Sequence, residues 1–161
     1  MRVLIQRVRK ASVSVDNDLK AAIGGGYVIF LGVGEGDTEK DADYLADKTA
    51  NLRIFSNDEG KFDYSLLDIK GEVLVISQFT LYGNTQKGRR PDFAKAAKPN
   101  IANKLYQYFN ESLRKKGARV KTGIFAAEML VEIINDGPVT IMIDSIISAT
   151  DYSAAGRQNI K

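Results

Sequence analysis

Glu72-Val73-Leu74-Val75-Ile76-Ser77-Gln78-Phe79-Thr80 is the stretch from which the fold follows. Its first half is a continuous aliphatic run, which is typical of a strand buried on both faces of a sheet. Its second half carries two hydroxyl groups and an amide. Strand alternation would place Ser77 and Phe79 on one face, with Gln78 and Thr80 on the other. The pattern predicts a central strand whose polar carboxyl end either forms a site or only bonds the sheet edge.

Strands and helices extend outward from this run on both sides. Residues 27–31 form a second apolar strand, while residues 2–8 and 11–15 alternate apolar and polar side chains. Asp16-Asn17-Asp18 predicts a hairpin turn into residues 19–23. One helix should begin at Asp37 or Thr38, and a second at Asp92 or Pro99, ending at Gly117. Further strands are predicted at residues 53–55, 118–122, 129–134 and 139–143.

This order of elements predicts an α+β fold. We expect antiparallel or mixed sheets, packed as a β/β/α layered sandwich or a partly closed barrel with the helices on one side. A length of 161 residues fits one domain. Residues 1–148 are predicted to form a single catalytic domain, and residues 149–161 a polar tail that frays.

The chain has no cysteine and no histidine. It therefore has no thiol nucleophile, no Ser-His-Asp triad and no zinc site built on imidazole or thiolate, and we expect no metal or cofactor. No apolar run approaches the roughly 18 residues that span a bilayer, and the first residues lack a signal-peptide core. We expect a cytoplasmic protein with no membrane partner.

Three further segments each allow a structural or a functional interpretation. Gly24-Gly25-Gly26 lacks the spacing of a phosphate loop, so we interpret it as a tight turn. Lys87, Arg89 and Arg90 form either a solvated basic loop or a phosphate-binding surface. Asn135-Asp136-Gly137-Pro138 lies between two apolar strands, and it is either a hairpin turn or a pocket wall made of backbone.

Two motifs resemble a known family. Ser77-Gln78-Phe79-Thr80-Leu81-Tyr82 and Asn135-Asp136-Gly137-Pro138-Val139-Thr140 look like the two signature motifs of the D-aminoacyl-tRNA deacylases. The opening strand with Arg7, the loop Lys87-Gly88-Arg89-Arg90-Pro91 and residues 117–129 extend the resemblance over most of the chain. Two positions depart from the family pattern. Ala126 stands where glycine is common, and Phe62-Asp63-Tyr64 replaces a frequent Met-Asn pair, which affects pocket shape or specificity.

The resemblance implies an editing hydrolase that cleaves the ester at the 3′ acceptor end of D-aminoacyl-tRNA, and of glycyl-tRNA mischarged on tRNA-Ala. It also implies a homodimer with active sites at the subunit interface. Gly137 and Pro138, joined by a cis peptide, would enter the partner's site and exclude L-amino acids. Arg7, Asn135 and Thr140 would support this pair. Ser77, Gln78, Phe79 and Thr80 would be catalytic, and Lys87, Arg89 and Arg90 would bind tRNA.

The missing histidine bears on the mechanism. An aminoacyl ester is already activated, so positioned water and an oxyanion hole can suffice. The backbone N–H groups of Phe79 and Thr80 are our candidates for that hole, with Ser77 and Gln78 orienting substrate and the ribose 2′-hydroxyl activating water. Thr80 as a covalent nucleophile is the rival mechanism. A non-catalytic tRNA-binding module and an esterase for other D-amino acid esters are the alternative functions.

Overall fold

The computed structural model describes residues 1–86 and 88–145. Lys87 and the predicted tail at 149–161 lie outside them, as does the predicted domain end at 148. Within the described part, the helices are α1 (Glu39–Asn51) and α2 (Pro99–Lys115). The strands are β1 (Arg2–Val15), β2 (Asp18–Ile23), β3 (Gly26–Gly32), β4 (Phe55–Ser56), β5 (Phe62–Tyr64), β6 (Glu72–Ser77), β7 (Arg119–Thr122) and β8 (Leu130–Asp144).

One long strand, β1, connects two layers of sheet. Residues 2–8 of β1 pair with β3, and residues 11–15 pair with β2, both antiparallel. β8 runs antiparallel along the opposite edge of β1 for its whole length. β6 adds to β3, and β7 to β6, in parallel. The chain thereby folds β2 and the first half of β8 back over the β3–β6 layer, which partly closes the sheet.

Alternation along β3 and β6 supplies two cores. Tyr27, Ile29 and Leu31 of β3 face the larger core, which also contains the buried faces of α1 and α2. Val28 of β3 faces the opposite way, into a second core shared with β1, β2 and β6. The same alternation divides Val73 and Val75 of β6 from Leu74 and Ile76. The predicted β/β/α layering is therefore confirmed, with both helices on one side.

The helix ends follow local chemistry. Thr38 and Asp41 form a reciprocal capping box at the start of α1. Pro99 occupies the first turn of α2, where its missing N–H costs nothing, and Gly117 follows the helix with φ of 96°. Of the alternative starts predicted from the sequence, Thr38 and not Asp37 caps α1, and Pro99 and not Asp92 begins α2. Among the described residues, no helix is long and apolar enough to cross a membrane.

Three sequence predictions about strands are wrong. The strands expected at 2–8 and 11–15 are one strand, β1. The hairpin turn, one of the two interpretations of Asn135-Asp136-Gly137-Pro138, is wrong: the segment is a bulge within β8, because both halves of β8 run the same way along β1. On β1, only one residue separates Gln6, paired with Thr140, from Val8, paired with Asn135. A partner strand distant in sequence thus overrides the local turn preference.

The third error concerns the end of β6. The strand stops at Ser77, and Phe79–Tyr82 forms a single 3-10 turn. Gln78 leaves the extended conformation with ψ of 81°, and the Leu81 N–H donates to the Gln78 carbonyl. Phe79 and Thr80 therefore do not alternate across a sheet, as strand periodicity suggested.

Candidate active site

A cavity of about 640 Å³ opens where the parallel strands β3 and β6 end. This volume falls in the range of ligand sites, and the carboxyl ends of parallel strands commonly hold them. Its wall is mainly apolar, made of Leu31, Val33, Ile76, Ser77, Gln78, Phe79, Phe93, Ala96, Ala97, Lys98, Pro99, Ala102, Phe125, Ala126, Ala127, Met129 and Val131.

Three of the four predicted catalytic residues line this cavity. Ser77, Gln78 and Phe79 form part of the wall, whereas Thr80 does not. The Gln78 N–H donates to the Leu31 carbonyl at 2.8 Å, which fixes the backbone where β6 turns. The half-exposed ring of Phe79 meets Phe93 edge-on, with 5.0 Å between ring centroids.

The 3-10 turn leaves two backbone donors available beside the cavity. The N–H groups of Phe79 and Thr80 lie in its first turn, where no acceptor exists within the turn itself, and none is found elsewhere among the described residues. The side chain of Thr80 is occupied differently, since its Oγ1 accepts a hydrogen bond from the Gln78 amide. The backbone here can bind developing negative charge, while no basic group in the described part of the chain contacts the Thr80 hydroxyl.

Arg2 and Tyr82 support this turn, and neither was among the predicted site residues. Arg2 donates from Nη1 to the Leu81 carbonyl at 2.9 Å, and its guanidinium lies 4.5 Å above the Tyr82 ring. The Tyr82 hydroxyl donates to Asp37 at 3.3 Å. Burial, reinforced by the charges of Asp37 and Asp144, raises the pKa of Tyr82 above its usual value, so the phenol stays neutral.

Ala126, one of the two departures from the family pattern, lies in the wall of the cavity. It lines the cavity with φ of 61°, a left-handed conformation that glycine adopts more readily than alanine. Its methyl group is therefore an addition to the cavity wall that glycine would lack.

Gly137 and Pro138 lie elsewhere in the chain. They are exposed at the β8 bulge, joined by a cis peptide bond, and they do not line the cavity. Gly137 has φ of 133°, and a Cβ placed there would lie 2.7 Å from Val139 Cγ2 and 2.9 Å from Arg7 Nη2. Only glycine fits this position without displacing its neighbours.

Arg7 holds the bulge in place through hydrogen bonds from its buried side chain. Its buried guanidinium donates from Nε to the Asp136 carbonyl at 3.0 Å, and from Nη1 to the Ile54 carbonyl at 2.6 Å. It also lies 5.5 Å from the Phe62 ring centre. The other departure from the family pattern, Phe62-Asp63-Tyr64, therefore lies near the Gly137–Pro138 bulge, through the contact of Phe62 with Arg7, and not in the cavity wall.

Asn135 and Thr140 close the base of the bulge. Asn135 accepts from the Val139 N–H at 3.0 Å and donates from Nδ2 to Thr140 Oγ1 at 3.2 Å. Thr140 also accepts from Gln6 at 3.1 Å. The structure thus brings together the three predicted supporting residues, Arg7, Asn135 and Thr140, around Gly137–Pro138.

The basic loop follows the 3-10 turn. Reciprocal backbone hydrogen bonds between Asn84 and Asp92, at 2.8 and 2.9 Å, close the loop. Arg89 and Arg90 are exposed on it, and no carboxylate within the described ranges lies within 4.0 Å of either. The same ranges contain no group of three Asp or Glu residues arranged to hold a metal ion.

Comparison with known proteins agrees with this arrangement. The sequence model of the D-Tyr-tRNA(Tyr) deacylase family matches residues 4–144. The chain is 57% identical to the D-aminoacyl-tRNA deacylase of Bacillus pumilus (strain SAFR-032), and 54% identical to that of Bacillus cereus (strain B4264). Each alignment covers 90% of this chain and 99% of the relative.

Solved structures share the fold. One, titled c-Myc DNA Unwinding Element Binding Protein, is 41% identical with a TM-score of 0.84. A second, titled as a probable eukaryotic D-amino acid tRNA deacylase, has a TM-score of 0.77 at 18% identity and so supports the fold alone. Both alignments cover 89% of this chain and 98% of the other. From the family match and the high identity to its relatives, we conclude that this chain belongs to the D-Tyr-tRNA(Tyr) deacylase family.

Proposed function

We propose that this protein hydrolyses the ester bond of D-aminoacyl-tRNA, releasing D-amino acid and tRNA, and that it acts in the cytoplasm. The observation that carries the proposal is the cavity that Ser77, Gln78 and Phe79 line beside the 3-10 turn, together with the Phe79 and Thr80 N–H groups of that turn, from which no described residue accepts. An apolar cavity of this size suits an aminoacyl group attached to a nucleoside. Family membership supplies the substrate class.

The backbone performs the main catalytic work in this proposal. The N–H groups of Phe79 and Thr80 stabilise the oxyanion that forms when water attacks the ester carbonyl, and one such donor is worth about 3 kcal/mol. Ser77 and Gln78 orient the substrate. The ribose 2′-hydroxyl, next to the scissile ester, assists the water. A strong protein base is therefore not needed, which suits a chain without histidine.

Chirality is selected, in this proposal, by a second subunit. Gly137 and Pro138 project from a rigidly held bulge, yet they lie outside the cavity of their own chain. A homodimer would let the bulge of one subunit reach the cavity of the other. Its backbone would then occupy the space needed by an L side chain. Glycine has no side chain to exclude, so glycyl-tRNA would also be hydrolysed.

One assay tests the activity. The protein is incubated with D-tyrosyl-tRNA, L-tyrosyl-tRNA and D-tyrosine ethyl ester, and release of tyrosine is measured. We expect fast release from D-tyrosyl-tRNA and little from the other two. Binding without release would instead identify a tRNA-binding module, and equal release from the ethyl ester would identify a general D-amino acid esterase.

A further inference from the structure

We propose that Lys98 binds the 5′-phosphate group of the terminal nucleotide, and so forms a phosphate subsite at the mouth of the cavity. This inference rests on the proposed deacylase function and adds a positioning residue to it. Lys98 lines the cavity, is exposed to solvent and directly precedes α2. It therefore stands where the cavity meets solvent.

The backbone of Lys98 is held in place. Its carbonyl accepts from the Ala102 N–H at 2.9 Å in the first turn of α2. The preceding residue, Ala97, donates its N–H to the Val33 carbonyl at 3.0 Å, which ties this segment to the end of β3. The ammonium group is thus carried on a flexible stem from a fixed point on the rim.

Charge makes Lys98 distinctive in this wall. Of the described residues that line the cavity, it alone carries a charged side chain. No carboxylate in the described part of the chain lies within 4.0 Å of its ammonium group. The mouth therefore offers a positive charge without an internal counter-ion, whereas the interior offers apolar groups and backbone.

The chemistry of the substrate supplies the matching anion. In an aminoacyl-tRNA the ester is on the 2′- or 3′-oxygen of the last ribose, and the phosphate is on the 5′-oxygen across the same ring. A cavity of about 640 Å³ can enclose an aminoacyl-nucleoside but not the polynucleotide. With the ester at the Phe79–Thr80 backbone, the phosphate emerges at the mouth, within reach of a lysine there.

Two substrates that differ by one phosphate test the proposal. We compare 3′-O-D-tyrosyl-adenosine with its 5′-monophosphate, using the wild-type protein and the charge-neutral variant Lys98→Gln. We expect the variant to lose about fivefold in kcat/KM on the monophosphate, through KM, and to match the wild type on the nucleoside. On D-tyrosyl-tRNA, the slope of log kcat/KM against log salt should fall by about 0.7.

Lys104→Gln is the matched control. Lys104 is also exposed on α2 and does not line the cavity, and its Nζ lies 3.4 Å from Glu39 Oε1. Its substitution should therefore leave kcat/KM on both small substrates and the salt slope on tRNA unchanged. Equal effects of Lys98→Gln on the two small substrates, or an unchanged salt slope on tRNA, would overturn the Lys98 subsite. A wild-type protein inactive on D-tyrosyl-tRNA would instead overturn the proposed function.

Discussion

Gly137 occupies a backbone position that no side chain can enter without moving its neighbours. Gly137→Ala would push Val139 and Arg7, and so displace the bulge that we propose enters the partner's cavity. We expect activity on D-tyrosyl-tRNA to fall about tenfold or more, and the ratio of L- to D-tyrosyl-tRNA hydrolysis to rise. Parallel deacylation assays on the two substrates measure this ratio.

Gly60→Ala is the control for backbone strain. Gly60 also has a positive φ, 76°, but no atom lies within 4 Å of a Cβ placed there. The substitution therefore imposes left-handed strain of about 1 kcal/mol without a clash. It should leave the L-to-D ratio unchanged. An unchanged ratio in Gly137→Ala as well would exclude the proposed role of the bulge.

The Thr80 hydroxyl group is required if Thr80 is a covalent nucleophile, but not if water attacks the ester at a backbone oxyanion hole. Thr80→Val removes the hydroxyl but keeps the shape and the backbone N–H that we assign to the oxyanion hole. We expect kcat within about threefold of the wild-type value, because the hydroxyl accepts from Gln78 and lies outside the cavity wall. Loss of several orders of magnitude, together with an acyl-enzyme detected by mass spectrometry, would establish Thr80 as the nucleophile.

Among the elements, β6 is tied to its neighbours by Glu72 at its first position. The Glu72 carboxylate accepts from the Gly24 N–H at 2.8 Å and lies 3.1 Å from Lys121. The Gly24 hydrogen bond first, and then Lys121, hold the pKa of Glu72 below its usual 4.5. Gly26 lets the backbone of Glu72 pack against β3, since a Cβ at position 26 would lie 1.9 Å from the Glu72 backbone carbonyl oxygen. The triple glycine was predicted to be a tight turn, but it is a bend: β2 and β3 run in the same direction along one edge of β1, so the chain does not reverse there.

A lowered pKa in the folded state makes the contribution of Glu72 depend on pH. The ionised carboxylate stabilises the fold above its unfolded pKa, and that stability is lost as pH falls through the lower, folded pKa. We expect Glu72→Gln to lower the free energy of unfolding by about 1 kcal/mol at neutral pH. The difference from wild type should shrink as the pH falls below the usual pKa of 4.5.

Urea denaturation at neutral pH and in acid measures this difference. Glu59→Gln is the control, because the Glu59 carboxylate forms an exposed ion pair with Lys61 and with no other described residue. This substitution should change stability little in either condition. A destabilisation by Glu72→Gln that is equally large in acid would show that the carboxylate charge is not its cause.

Most elements were predictable from local patterns, but their extents were not. The apolar runs and the caps at Thr38, Pro99 and Gly117 identify strands and helices because these signals lie within a few residues of one another. The bulge in β8 could not be predicted, because Asn-Asp-Gly-Pro is also an ordinary hairpin sequence. Pairing with β1, more than a hundred residues away, decides between the two.

At the scale of the whole molecule, the proposed homodimer predicts complementation between two defective chains. One carries Gly137→Ala, and the other carries Ala102→Trp, which fills the cavity. A mixed dimer would contain one site with both defects and one site with neither. We expect purified mixed dimers to regain about half of wild-type activity. If the bulge instead acts on the cavity of its own subunit, each site in the mixed dimer has one defect and activity stays low.

The basic loop predicts a salt effect on binding of the whole tRNA. Replacing Lys87, Arg89 and Arg90 by glutamine should weaken the binding of D-tyrosyl-tRNA. The slope of log binding constant against log salt concentration should become shallower by about 0.7 to 0.9 for each phosphate that the loop neutralises. Equilibrium binding at several salt concentrations measures the slope. The control combines Lys10→Gln, Lys40→Gln and Lys115→Gln, which make the same charge change at three exposed residues outside the loop. Equal slopes in both triple variants would exclude a specific role for the loop.

Local sequence patterns were sufficient to predict the fold class, the two motifs and the kinds of catalysis that a chain without histidine or cysteine cannot perform. These depend on residue type and on short spacings, which need no knowledge of distant contacts. The folded structure was needed to place Ser77, Gln78 and Phe79 in one cavity wall with Lys98 and Ala126. It was also needed to place Gly137–Pro138 outside that wall, on a bulge held by Arg7. The reason is physical: the cavity is bounded by strands, loops and a helix start that pairing and core packing bring together from separate parts of the chain.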